Sequence, residues 1–172
     1  MKILFYPAIS LDGFISKLDG DSSWVTEEDE QIFAEEVKKA GCVIVGSITF
    51  QQFKDIIYPI KDATTFVCSS RGNLEGSNDP AIKFVSGNAG EIKRQIQAAG
   101  FTNAVLSGGA ETNGRFAEAQ AIDEMLVSIY PHLLGAGLPM FGDRKVQLRL
   151  ELLATRQLSA GVIQNRYRVL SS

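Results

Sequence analysis

Apolar runs bounded by turn residues alternate with amphipathic stretches along most of this chain. Lys2 to Ile9, rich in aromatic and aliphatic residues, predicts a strand. The stretch from Ser10 to Trp24 holds Gly13, Gly20, Asp12, Asp19 and Asp21, and predicts an acidic loop long enough to be functional. Thr26-Glu27-Glu28-Asp29 has capping-box spacing, with Thr26 capping a helix and Asp29 reaching back. Ile32, Phe33, Val37 and Ala40 follow at helical spacing, and Gly41 is placed to end that helix. Cys42 to Val45 is the short β-branched run of a strand buried on both faces. Gly46 ends it, and a short helix from Thr49 to Lys54 follows.

Thr64 to Cys68 and Ile82 to Val85 are the next strands. Glu91 to Ala99 predicts a helix stopped by Gly100. Ala104 to Leu106 is a strand running into Ser107-Gly108-Gly109, with a helix from Glu111 to Ala119 behind it. Glu124 to Tyr130 is a strand. Gln147 to Thr155 and Val162 to Leu170 are two more, joined through Ser159-Ala160-Gly161 as a hairpin. Alternating β and α elements that end in β-β predict one α/β domain over 1–172. Its sheet is mixed but mainly parallel, with helices on both faces and an antiparallel edge.

Composition narrows the function. Apolar residues make up 45% of 172 residues, enough for a sizeable core. A net charge of −3 leaves no basic footprint for nucleic acid. The single histidine and the isolated Cys42 and Cys68 offer no metal-ligand spacing, so no metal is expected and both thiols are expected in the core. The N-terminal apolar run is short and broken by Pro7 and Asp12, unlike a signal peptide, and no stretch approaches the roughly 20 apolar residues of a bilayer span. A cytoplasmic protein without a membrane partner is expected.

The strongest local chemistry is Val105-Leu106-Ser107-Gly108-Gly109-Ala110-Glu111, where a strand enters two glycines and then a helix. Glycine lets the backbone approach a ligand, and free N–H groups at a helix start attract phosphate. Val45-Gly46-Ser47-Ile48-Thr49 repeats the pattern, with Thr49 able to cap the helix or bond a phosphate. Cys68-Ser69-Ser70-Arg71-Gly72 places two hydroxyls and a guanidinium beyond a third strand, a set able to hold a phosphomonoester. Three such turns after three strands point to a ligand at the carboxyl edge of an α/β sheet. The motifs match neither a Rossmann fingerprint nor a P-loop. Asp12, beside Gly13 after the first strand, could orient a substrate or assist proton transfer. Trp24 could stack on a flat ring or close the core; His132 has no nucleophile partner and is expected in a loop.

In order and spacing, five segments resemble the dihydrofolate-reductase-like superfamily. They are Ser10-Leu11-Asp12-Gly13-Phe14-Ile15, Val45-Gly46-x-x-Thr49, Ser107-Gly108-Gly109-Ala110, Asp123-Glu124 and Leu134-Gly135-x-Gly137-x-Pro139-x-Phe141. The chain is most similar to the reductase domain of the riboflavin-biosynthesis deaminase-reductase and its stand-alone relatives. The resemblance implies a three-layer fold around a sheet of about eight strands, and NADPH lying across the strand ends. It implies Ala8 and Ile9 near the nicotinamide, Gly46 and Thr49 near the pyrophosphate, and Gly108, Gly109, Ala110, Glu111 and Thr112 around the phosphates. Ser69, Ser70 and Arg71 would flank the 2′-phosphate that distinguishes NADPH from NADH.

Asp12 would lie beside the substrate, Trp24 and Phe141 would wall its pocket, and family habit implies a homodimer. The chain departs from riboflavin-pathway relatives at Phe50-Gln51-Gln52-Phe53-Lys54-Asp55, where they carry Asp-x-Pro-x-Leu-Thr-x-Arg, and at Ser47, where they carry a basic residue. It has no zinc-deaminase motif. The function expected is NADPH-dependent reduction of a small heterocyclic, carbonyl or imine substrate, pyrimidine- or pterin-like. The alternatives are the riboflavin-pathway 5-amino-6-(5-phosphoribosylamino)uracil reductase and a non-catalytic nucleotide-binding module.

Overall fold

Tyr6-Pro7 divides the first apolar run in two. Pro7 has no N–H to donate to a ladder, and the single strand expected over Lys2 to Ile9 becomes β1 (Lys2–Phe5) and β2 (Ala8–Ser10). β1 lies between two parallel neighbours, β7 (Asn103–Gly108) and β8 (Glu124–Tyr130), whereas β2 pairs with β8 alone. The structure, a computed structural model, describes residues 1–70 and 79–171.

The remaining elements follow the predicted order. They are α1 (Glu27–Ala40), β4 (Cys42–Gly46), α2 (Ser47–Phe53), β5 (Thr64–Cys68), β6 (Ile82–Val85), α3 (Ala89–Ala98) and α4 (Ala110–Glu118), then β10 (Arg149–Gln157) and β11 (Ile163–Leu170) as the C-terminal hairpin. Across the main sheet the order is β10-β11-β8-β1-β7-β4-β5-β6. β11 runs antiparallel to both β10 and β8, and every other pairing is parallel. The loop expected from Ser10 to Trp24 contains an unforeseen strand, β3 (Phe14–Ser16), which pairs with β9 (Leu138–Pro139) in a separate two-stranded sheet. Strands of two and three residues are too short to leave an alternation in sequence.

Strand alternation sorts the core into two layers. Ile3, Phe5, Ile44 and Leu106 pack with Ile92 and Ile96 of α3 and Phe116 of α4. Val43, Val45, Val67 and Val105 face the other way, against Val37 of α1 and Phe50 of α2. Successive strand residues point to opposite faces, so β4, buried at all five positions, feeds both layers. Full burial of each such side chain stabilises by about 1.5–3 kcal/mol. Gly41 ends α1 with a left-handed φ of 84°, and its N–H closes on the Val37 carbonyl. Among the described residues no helix is long and apolar enough to cross a membrane.

Candidate active site

β4 and β7 are neighbours, with Val45 opposite Gly108, so their glycine turns leave the sheet side by side. A Cβ on Gly46 would stand 2.5 Å from Thr112 Oγ1 at the start of α4, and one on Gly109 would stand 2.6 Å from Thr49 Oγ1 in α2. Each turn is thus packed by a threonine from the helix that follows the other. Gly46 (φ −73°) and Gly109 (φ −76°) have backbones that alanine could adopt. Lack of space, not conformation, demands glycine at both. Gly108 differs: its φ of 123° favours glycine in its own right, and its peptide bond to Gly109 is cis.

Gly109 precedes α4 as its N-cap residue and supplies no side-chain cap. The first N–H groups of a helix have no intrahelical partner and carry its positive partial charge, and Ala110, Glu111 and Thr112 border the cleft. Glu111 would oppose an anion there, but its carboxylate pairs with Arg144 at 2.6 Å; this bond is the main cause that lowers its pKa.

These turns open onto a cleft of about 720 Å³. Ser70 beyond β5, Ser107 and Arg115 join the α4 start in its lining. The lining also includes Tyr6, Ala8, Val25, Phe33, Phe53 and Ile57, mostly apolar. Two polar, closely approached backbone turns beside an apolar recess fit an elongated ligand with phosphates at one end and a ring at the other.

The wall of the cleft holds a buried carboxylate that the sequence did not reveal. Asp29, 1% exposed, accepts hydrogen bonds from the Tyr6 hydroxyl (2.6 Å), Ser128 Oγ (2.8 Å), the Tyr130 hydroxyl (2.9 Å) and Gln164 Nε2 (3.1 Å). The box predicted at Thr26 is therefore only half formed. Asp29 N–H donates to Thr26 Oγ1 at 3.4 Å, while the Asp29 side chain turns inward instead of back to the cap. A clue lay in the residue type, because the reciprocal bond of a capping box is usually made by the longer Glu or Gln. Burial, with the nearby negative charge of Asp29, raises the pKa of the Tyr6 phenol far above its ordinary value. Burial is also the main cause that pushes Tyr130 up to about 12. Both phenols therefore stay protonated donors near neutral pH.

Among the expected cofactor residues, the cleft gathers Ala8, Gly46, Thr49, Ser70, Gly109, Ala110, Glu111 and Thr112. Ile9, Ser69 and Gly108 lie outside its lining, and Arg71 falls outside the described residues. The three residues expected against the substrate are also elsewhere. Asp12 accepts from Ser10 Oγ (2.6 Å), Leu134 N–H (3.2 Å) and Gly135 N–H (2.7 Å), tying the loop after β2 to the loop after β8. The Ser10 hydroxyl, aided by the Gly135 and Leu134 amides, lowers its pKa to about 2. Trp24 packs edge-on to Tyr130, with ring centroids 4.9 Å apart. Phe141 lies against Phe5 in the core, 5.8 Å between centroids. Cys42 and Cys68 are buried, and burial raises both thiols to about 12.

The likeness to known proteins runs along the whole fold. An uncharacterized protein of Bacillus subtilis, YwjB, is 29% identical over 166 residues, 94% of each chain. The crystal structure of a putative riboflavin biosynthesis protein from Shewanella sp. PV-4 superposes with a TM-score of 0.85 at 23% identity, covering 99% of this chain and 100% of that one. Dihydrofolate reductase from Enterococcus faecalis, complexed with NADP(H), superposes at 0.72 with 17% identity, covering 99% and 97%. These superpositions show a dihydrofolate-reductase-like fold. The RibD C-terminal domain family matches residues 1–164, and the chain belongs to that family.

Proposed function

We propose that this chain is an NADPH-dependent reductase in which the cofactor lies across the paired glycine turns and the apolar part of the cleft holds a small heterocyclic, imine or carbonyl substrate. The observation that carries this reading is the mutual packing of the turns, Gly46 on Thr112 and Gly109 on Thr49, beside the uncapped start of α4. That arrangement leaves bare backbone where a pyrophosphate needs donors. NADPH, when bound, supplies the hydride. The protein aligns the two rings and excludes water.

The amides of Ala110, Glu111 and Thr112, with Thr49 and Gly46, hold the phosphates, and Ala8 flanks the nicotinamide. Ser69, Ser70 and Arg71 are assigned to the 2′-phosphate. The acidic position expected of Asp12 passes to Asp29, which lines the cleft as Asp12 does not. Almost wholly buried and held by four donors, Asp29 serves as a positioning residue that fixes the Tyr6 phenol at the cleft wall.

Nicotinamide fluorescence on titration with NADPH, followed by a screen of pteridines, pyrimidines and quinonoid compounds for NADPH oxidation, tests the assignment. Asp29→Asn is expected to keep cofactor affinity and lose turnover. Indifference to NADPH at millimolar concentration refutes the reductase assignment. Tight binding without oxidation of any compound would favour the nucleotide-binding module instead.

A further inference from the structure

At its end β7 carries one residue more than its neighbour β4. Ile44 pairs with Leu106 and Val45 with Gly108, so Ser107 is the extra residue of a bulge. A bulge re-aims the side chain it carries, and bulges recur beside active sites. Ser107 is half-buried, lines the cleft and stands immediately before the Gly108-Gly109 turn. Its hydroxyl meets the Tyr58 phenol at 2.5 Å.

Burial decides the direction of that bond. Tyr58 is 2% exposed and packs in the core layer of Val43, Val45 and Phe50. Among the described residues Ser107 is the only hydrogen-bond partner of its hydroxyl. Burial pushes the phenol up to about 12, so it keeps its proton near neutral pH. A buried O–H left without an acceptor carries its full desolvation cost. Tyr58 therefore donates and Ser107 accepts. A serine hydroxyl has one hydrogen and two lone pairs, so Ser107 keeps its own hydrogen for a further acceptor. No described residue supplies that acceptor. Accepting from the phenol also polarises the serine and makes it a stronger donor.

We propose that Ser107 donates a hydrogen bond to an oxygen of the bound dinucleotide, and that Tyr58 is a positioning residue that fixes the serine in this donor role. The proposal rests on the reductase reading, which lays the dinucleotide across the Gly46 and Gly109 turns. Ser107 leads into the second of these turns and lines the same cleft as both. The group it takes is an acceptor oxygen, supplied by a phosphate or by the carboxamide carbonyl of the nicotinamide.

Thermal unfolding and NADPH fluorescence titration of Ser107→Ala, Tyr58→Phe and the double variant test both halves. Ser107→Ala strands the Tyr58 hydrogen, so it is expected to lower Tm and to weaken NADPH by about three- to tenfold, the range of one hydrogen bond. Tyr58→Phe alone keeps the serine and is expected to lose less affinity. In the double variant the stranded hydroxyl is gone, so Tm recovers while affinity does not. Competition by adenosine 2′,5′-bisphosphate and by thio-NADP⁺, whose sulfur is a weak acceptor, locates the oxygen. A loss shared by the bisphosphate supports the adenosine-side phosphate, and a loss that NADP⁺ shows and thio-NADP⁺ does not supports the carboxamide. Ser107→Ala that binds NADPH as the unaltered protein does overturns the proposal, as does a double variant whose affinity returns with its stability. A double variant no more stable than Ser107→Ala overturns Tyr58 as the donor. An unaltered protein that ignores NADPH loses the reductase reading as well, whereas one that binds NADPH no better than Ser107→Ala loses only this inference.

Discussion

Gly46→Ala is the sharpest probe of the paired turns, because two physical effects predict opposite signs. At φ −73° and ψ 151° alanine is conformationally acceptable. Stiffening the unfolded chain should by itself stabilise by about 0.4–1 kcal/mol. Against this, the new methyl would stand 2.5 Å from Thr112 Oγ1, and 3.5 Å from both the Gly108 carbonyl oxygen and the Gly109 nitrogen. The last two are ordinary contacts; the first is not. Thr112 is buried on a helix, where a β-branched side chain has few rotamers to retreat into.

Overpacking of this kind costs about 1–3 kcal/mol; a contact this short against a buried side chain calls on the upper part of that range, about 2–3 kcal/mol, so the net effect is a loss of about 1–2.6 kcal/mol. At about 2–4 °C per kcal/mol for a chain of this size, Tm should fall by roughly 2–10 °C. Thr112→Ala removes the clashing oxygen. The double variant should recover to at least the stability of Thr112→Ala alone, a coupling of about 1–2 kcal/mol in a double-mutant cycle. Thermal and urea unfolding of the four proteins measure it. Gly46→Ala with unchanged or raised Tm, or a double variant whose losses simply add, would refute the packing argument and with it the observation on which the proposed function depends.

Asp29→Ala strands two buried phenols, a serine hydroxyl and a side-chain amide. It should cost about 3–5 kcal/mol in urea unfolding, and a loss under about 1 kcal/mol would show the network to be incidental. Alkaline stability follows from the raised pKa values of Cys42, Cys68, Tyr58 and Tyr130, all pushed up to about 12 chiefly by burial. Below their ordinary values of 9.0 and 10.0 both states hold the same protons. Above them the unfolded chain releases protons first, so stability should fall steadily from about pH 9 to pH 12; equal stability at pH 8 and pH 11 would contradict this. A thiol reagent at pH 8 should find neither cysteine until the chain unfolds. Asp12→Asn should speed amide hydrogen exchange at Leu134 and Gly135 while leaving NADPH affinity intact, and unchanged exchange would count against the clamp. The homodimer expected by family habit requires a light-scattering mass twice that of the chain.

The elements with strong local causes were legible in the sequence. Cys42 to Val45 is β-branched and bounded by Gly41 and Gly46. α1 begins at Thr26 and ends at a glycine with positive φ, and the strand into Ser107-Gly108-Gly109 announces both the turn and the helix after it. Neighbours a few residues away decide such features, and sequence records those neighbours directly. The alternation of β and α elements, with a hairpin at the end, fixed the fold class for the same reason.

What the sequence could not decide was which distant groups share a cleft. Asp29 takes hydrogen bonds from partners 23, 99, 101 and 135 residues away, so apart from its shorter side chain nothing within its own helix marks it out from the glutamates beside it. Asp12 reads as a substrate carboxylate until the chain 122 and 123 residues later brings two amides to it. Gly46 needs to be glycine only because Thr112 arrives from another helix. Local order is written in the chain because short-range forces set it. The direction of a buried side chain depends on a tertiary approach that no stretch of sequence contains.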